Sequence, residues 1–262
     1  MKFAVGQPVR RVEDTRLITG KGKFTDDLKL PNTAHGIFVR SPYAHANISS
    51  INFEEALKMP GVVDIYTGEK LKSEGLKHMS VIDFLQNKDG SPMNASKRPI
   101  LATGKVRHVG DPVVFVVAES MNQALDASEL IEIDYDELPC VIDTGKALNS
   151  DSPLLFDEFG TNSAVDWEAG SEKEWSDVEE KAHHISKVDL VNNRIVVNPI
   201  EPRSATSDFN KDDDRFTVYV ESQGSHAMRE RLAGSIGVEE KNVKVVTNDV
   251  GGGFGLKMMC FP

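Results

Sequence analysis

Along the first half of the chain, short apolar runs alternate with turn residues at a spacing that predicts strands and brief helices. Residues 34–40 (AHGIFVR) and 62–66 (VVDIY) read as strands, and residues 53–59 between them as a short helix closed by Pro60 and Gly61. Residues 113–117 (VVFVV) form a continuous apolar run of the kind buried on both faces of a sheet. In residues 120–130, Met121, Ala124, Leu125, Ala127 and Leu130 recur at helical spacing, and residues 131–135 then alternate as a half-exposed strand. This order predicts a compact α+β domain within residues 20–143. It is interrupted at residues 71–98 by a polar stretch with little periodicity, which reads as a long surface loop.

Residues 144–177, rich in Gly, Ser, Asp and Glu, read as the connection to a second domain. Beyond it, residues 185–191 and 194–197 read as strands. Residues 206–209 and 215–221 form an expected hairpin about the turn Asn210-Lys211-Asp212-Asp213-Asp214. A helix over residues 225–236, ended by Gly237, and a strand over 243–247 lead into Gly251-Gly252-Gly253-Phe254-Gly255. The domain boundary is placed at residue 145, with 1–145 as the first domain and its N-terminal extension and 146–262 as the second. No internal repeat or low-complexity tract is present.

With 39% hydrophobic and 27% charged residues, the 262-residue chain has enough apolar material for one large core or two smaller ones, and two are favoured. Its formal charge of −11 comes from carboxylates spread along the whole sequence, with no block of Lys and Arg to neutralise phosphates. Nucleic acid and anionic membrane surfaces are therefore not expected partners. Arg10 and Arg11 are followed by Glu13, Asp14 and Arg16 rather than by an apolar stretch. No run of about 18 apolar residues, the minimum for a spanning helix, occurs anywhere. A soluble, cytoplasmic protein is expected. Cys140 and Cys260 are the only cysteines, which excludes a four-cysteine iron–sulfur or zinc site within the chain. A redox centre would have to be held by backbone and polar groups, or shared with another chain.

Three segments carry candidate chemistry. Gly251, Gly252, Gly253 and Gly255 directly follow an apolar strand, where missing side chains let the backbone approach a ligand and turn its N–H groups inward. Such a loop can bind an anion or an oxo ligand, or it can be a plain turn or bulge. It is not a Walker loop, because GGGFGLK lacks the four-residue gap and has Met258 where Ser or Thr would hold magnesium. Leu256 at the third glycine position likewise breaks the dinucleotide fingerprint.

The second segment, residues 221–226 (ESQGSH), lies between a strand and a helix, with Ser225 as the expected N-cap. Gln223 offers an acceptor and two donors and can bond an oxo group or substrate without adding charge. Alternatively, Gln223 and His226 are surface polar residues at a helix terminus. In the third, residues 198–203 (NPIEPR), two prolines fix the directions of Glu201 and Arg203, which read as a solvated ion pair on a rigid turn. His183 and His184 are adjacent and diverge too far to share one metal, and no G-x-S-x-G context accompanies the Ser, His and Asp residues.

In order along the chain, these segments resemble the large subunit of the molybdenum hydroxylase family, which includes xanthine dehydrogenase, aldehyde oxidase and aerobic carbon monoxide dehydrogenase. GQPVRRVEDTRLITGKGKFTDDLKLPNTAHGIFVRSPYAHANI resembles the family's N-terminal stretch. RPILATGKVRHVGDPVVFVVAESMNQALDASELIEIDYDELPCVID resembles the end of its hammerhead domain. NPIEPRSA and FTVYVESQGSHAMRERLAGSIGVEEKNVKVVTNDVGGGFGLK resemble the start of its molybdopterin-binding region. The resemblance implies an α+β fold, a hammerhead-type α/β domain followed by the start of a molybdopterin-binding α+β domain.

It also implies a molybdenum-pyranopterin cofactor, as molybdopterin itself or as its cytosine dinucleotide. Gln223 would hydrogen-bond the apical oxo ligand, and the amides of Gly252, Gly253, Phe254 and Gly255 would lie against the metal centre, with the Phe254 ring walling the substrate site. No residue of this chain would bind the metal directly. The implied chemistry is hydroxylation of an aldehyde or heterocycle, or oxidation of carbon monoxide, with oxygen from water and electrons passed to iron–sulfur and FAD subunits or domains. Two departures bear on this. Members acting on purines carry Glu where this chain has Met258, which argues against a xanthine-type pocket. The family's catalytic Glu, substrate loop and most pterin contacts are expected beyond Pro262, so the chain alone is expected to be inactive and to need the remainder of the large subunit, in an assembly expected to be a dimer. A silent scaffold that kept the fold, and a phosphate or nucleotide binder using the glycine loop, are the competing readings.

Overall fold

The computed structural model describes residues 5–79, 81 and 84–261, and their contacts divide them into two units. One contains His35–Glu74 and the described residues of 78–196; the other contains residues 5–34, Gly75–Lys77 and Val197–Phe261.

The short helix α1 (Asp14–Ile18) precedes the first unit. That unit comprises β1 (His35–Arg40), β2 (Ala46–Asn52), α2 (Glu54–Leu57), β3 (Val62–Thr67) and α3 (Gly68–Ser73). It continues through β4 (Lys105–Val106), β5 (Pro112–Ala118), α4 (Met121–Glu129), β6 (Glu132–Glu137) and α5 (Glu172–Lys181). The strands form two antiparallel sheets, ordered β1-β5-β3 and β4-β2-β6. The apolar run expected to be buried on both faces is the central strand β5, where Val113, Val114, Val116 and Ala118 are inaccessible to solvent. Phe115 lies opposite Phe38 with ring centroids 4.5 Å apart. Ala124 and Ala127 of α4 close the same core with Ala46, Ile65 and Val106. Helix α4 starts where the Ser120 hydroxyl accepts the Gln123 N–H, an N-cap that satisfies one of the free donors of the first turn.

Strand β2 (ANISSIN) is absent from the periodicity reading for a structural reason. A register shift between Ile48 and Ser50 breaks the two-residue alternation, so Ile48 and Ile51 turn inward across two consecutive exposed serines. Those serines donate outward, Ser49 to Asp136 and Ser50 to Asp134, each at 2.6 Å. The excursion at 71–98 begins inside α3 and is closed at its base by Met79 N–H donating to Arg98 O at 2.8 Å; residues 80, 82 and 83 of it lie outside the described residues. The connection at 144–177 contains the start of α5, capped by Ser171 and wholly exposed.

Residues 185–191 and 194–197 are not strands. Val188, Leu190, Val191, Ile195 and Val196 are exposed, and among the described residues no strand pairs with them, so the sequence pattern meets neither a ladder nor a buried face.

The second unit holds β7 (Ala205–Asn210), β8 (Arg215–Val220), α6 (Ser225–Ile236) and β9 (Val243–Val246). β7 and β8 form the expected hairpin, and α6 crosses over to place β9 parallel to β8. Helix α6 ends at Gly237, in the left-handed region at φ 78°. Its N-cap is Gly224, not the expected Ser225, which is already the first helical residue and caps nothing. The N-terminal segment, grouped with the first domain in the sequence reading, packs with this unit through the contacts described below. No helix among the described residues is long and apolar enough to cross a membrane.

Candidate cofactor site

The turn after β9 is held at both ends by one buried carboxylate. Glu201 Oε2 accepts the Gly251 N–H at 2.7 Å and the Lys257 ammonium at 2.9 Å, while its Oε1 accepts the Thr25 N–H at 3.3 Å. The Lys257 side chain is fully buried and that of Glu201 is 11% exposed. Pro199 and Pro202 fix the backbone on either side of Glu201, as the sequence indicates. Its partner differs from the sequence reading, which paired Glu201 with Arg203 in solvent; Arg203 instead lies over the Phe261 ring at 4.0 Å. A lysine set among Leu256, Met258 and Met259 is the one signal in the sequence that points to a buried cation.

Asp249 anchors the turn a second time. Arg16 donates to it from both terminal guanidinium nitrogens, Nη2 at 2.8 Å, and the Lys23 N–H donates to Asp249 Oδ2 at 2.7 Å. In return the Asp249 N–H donates to Lys23 O at 3.0 Å.

Between these anchors the backbone bends sharply. Gly252 (φ 105°) and Phe254 (φ 50°) occupy the left-handed half of conformational space. A Cβ on Gly252 would stand 2.8 Å from the Phe254 ring and 3.1 Å from Pro199, so only glycine lets that ring fold over the turn. A Cβ on Gly253 would meet the Gln223 side chain at 2.8 Å, which makes glycine the condition for Gln223 to lie against the loop. Gln223 is itself set by two bonds: its N–H donates to Lys257 O at 3.0 Å and its Oε1 accepts the Gly255 N–H at 2.9 Å. With the carbonyl oxygen so engaged, the amide orientation is fixed, and among the described residues neither Nε2 hydrogen has an acceptor. Among the described residues, the N–H groups of Gly252, Gly253 and Phe254 also find no protein acceptor. The Phe254 ring is 77% exposed.

The structure thus brings together all five residues singled out in the sequence: Gln223, Gly252, Gly253, Phe254 and Gly255. It spends the Gly255 amide on Gln223. Four residues that the sequence reading did not place at the site, Arg16, Glu201, Asp249 and Lys257, prove to hold it. His226 is an exposed polar residue of α6, and among the described residues no cluster of His, Cys, Asp and Glu could hold a metal ion.

Burial pushes the Glu201 carboxyl up, but the bonds from Gly251, Lys257 and Thr25 outweigh it and hold it below its ordinary value. The Arg16 bond, with the Lys23 N–H, holds Asp249 low as well. Depressed carboxyls contribute stability that is present above the unfolded-state value of about 4 and is lost as pH falls through the lower folded value. The unit's unfolding midpoint in urea is therefore expected to drop as pH is lowered below about 4, with a shallower drop in Glu201→Gln. Equal slopes for the two proteins would contradict this reading of Glu201.

One unit is an α/β fold built on two antiparallel sheets, and the other carries a glycine turn whose Gly252, Gly253 and Phe254 N–H groups have no acceptor among the described residues. Residues 19–139 match the family described as aldehyde oxidase and xanthine dehydrogenase, a/b hammerhead domain, and residues 155–262 match the molybdopterin cofactor-binding domain. The chain belongs to the molybdenum hydroxylase family, of whose large subunit it corresponds to the N-terminal part. It is 33% identical to the nicotine 6-hydroxylase large subunit of Paenarthrobacter nicotinovorans, over 98% of this chain and 31% of that one. It is similar to the solved Cu,Mo-CO dehydrogenase at 32% identity and a TM-score of 0.84, covering 98% of this chain and 32% of the other. Quinoline 2-oxidoreductase from Pseudomonas putida 86 gives 30% and 0.83, covering 96% and 31%. The chain therefore spans about a third of the length of the relatives it matches.

Proposed function

We propose that Gln223 and the turn at residues 252–255 bind the molybdenum-pyranopterin cofactor of an oxidoreductase that hydroxylates an aldehyde or heterocycle, or oxidises carbon monoxide. The observation that carries this reading is the group of unspent donors on one bend: the N–H groups of Gly252, Gly253 and Phe254 and the Nε2 of Gln223. Neutral donors fixed in advance suit a ligand rich in acceptor oxygens, because they stabilise charge there without reorganising. When bound, the cofactor supplies oxygen transfer and two-electron redox chemistry. Gln223 orients it, the glycines admit it close to the backbone, and the Phe254 ring shields one side from water. Met258, apolar and 55% exposed, stands next to Lys257 where a purine-specific member would carry Glu, which favours a substrate other than xanthine.

The rest of the pocket, including the catalytic Glu, is assigned to polypeptide corresponding to the other two thirds of the relatives, and the chain without it is taken to be inactive. Electrons then pass to iron–sulfur and FAD subunits or domains in a dimeric, cytoplasmic assembly. Metal and pterin analysis tests it: the chain purified together with that polypeptide carries about one molybdenum and one pterin per subunit, as one closed site requires. Absence of both from the joined protein would favour a scaffold that kept only the fold.

A further inference from the structure

We infer that the N-terminal segment containing Arg16, Lys23 and Thr25 is a clasp that positions the glycine turn, through the two carboxylates from which that turn hangs. The segment lies more than 220 residues from Asp249 in sequence, yet makes five bonds to the supports of the bend. Arg16 uses both arms of its planar fork on Asp249, a geometry that fixes direction as well as distance, where a lysine could offer only a point charge. Lys23 and Asp249 exchange bonds through the Lys23 N–H, the Asp249 carboxylate, the Asp249 N–H and Lys23 O, so the chain cannot slide along the segment without breaking both. The Thr25 N–H takes the second oxygen of Glu201, leaving the first to Gly251 and Lys257.

Asp249, two residues before Gly251, thus bonds the N-terminal segment through Arg16 and Lys23, while Glu201 bonds the bend through Gly251 and Lys257 and the segment through Thr25. Each has a side chain almost wholly withdrawn from solvent, at 13% and 11% exposure, whereas Arg16 remains 40% exposed. Arg16 therefore bonds, from the partly exposed side, an anion two residues before the glycine turn. Arg16, Lys23 and Thr25 are positioning residues: their long-range bonds go to Asp249 and Glu201 and not to residues 252–255. The consequence for molybdenum rests on the cofactor reading above; the clasp itself does not.

Hydrogen exchange on the whole chain separates the two. In Arg16→Gln and in Asp249→Asn, the Gly251 and Gly255 amides are expected to exchange about tenfold faster than in the parent, the loss of a charge-assisted bond. The amides of β8 and α6 should keep their parental rates, and Arg16→Lys should fall between. Unchanged rates at Gly251 and Gly255 in both variants would overturn the inference, and so would equal acceleration throughout the unit, which would make the contact an ordinary packing one. A loosened turn in Arg16→Gln that retains molybdenum as firmly as the parent, in the protein joined to its remaining polypeptide, would uphold the clasp and count against the cofactor reading.

Discussion

Lys257→Met lowers the stability of the unit that contains it by about 3 kcal/mol, at the low end of the cost of breaking a buried ion pair. Methionine keeps much of the volume of the side chain, so little of this loss comes from a cavity. It comes from Glu201, whose carboxylate stays buried, keeps only the Gly251 and Thr25 N–H groups, and loses its cation. Adding Glu201→Gln removes the stranded charge and is expected to restore part of the stability. It does not restore all of it, because a neutral amide holds the Gly251 N–H less firmly than a carboxylate does. Urea unfolding of the full chain, followed for the transition of this unit, gives both values. A single-variant loss below about 0.5 kcal/mol, the range of ordinary surface substitutions, would show that Lys257 is not an obligatory partner.

Gln223→Glu is expected to reduce turnover of the completed enzyme by about 100-fold or more, as loss of a preorganised donor at a reacting centre does. The substitution is sharper than Gln223→Ala. Glutamate keeps an oxygen to accept the Gly255 N–H, so the turn stays anchored, while the two Nε2 hydrogens are replaced by a negatively charged acceptor. Gln223→Ala removes the anchor as well and should lower turnover at least as far while leaving the exposed side chain's contribution to folding small. Steady-state turnover with a saturating substrate, normalised to bound molybdenum, makes the comparison. If Gln223→Glu keeps parental turnover, the donor role fails, whatever Gln223→Ala shows.

Much of the fold was legible in the chain because its signals are local. The apolar run of β5, the helical spacing of α4, the acidic turn between β7 and β8 and the glycine after α6 each act within a few residues. Strand β2 escaped because its bulge destroys the alternation on which the reading depends. Residues 185–197 misled in the opposite direction: they have the apolar content of strands, but a strand also needs a neighbour, which no local pattern reports. Ser225 has the chemistry of a cap and sits one residue too late to use it.

At the site the division is the same. Gln223 and the glycines were legible as types whose chemistry suits a ligand loop. The supports were not, because Arg16, Glu201, Asp249 and Lys257 come from distant stretches and pair only through the tertiary fold. Glu201 in particular reads as a surface residue beside Arg203, and only the burial of Lys257 reveals what its charge is for.

The most direct test is diffraction from the completed, cofactor-loaded protein at the molybdenum absorption edge. An anomalous peak is expected beside the turn at residues 252–254, close to the Gln223 side chain. A peak elsewhere in the protein, with that bend open to solvent, would contradict this expectation.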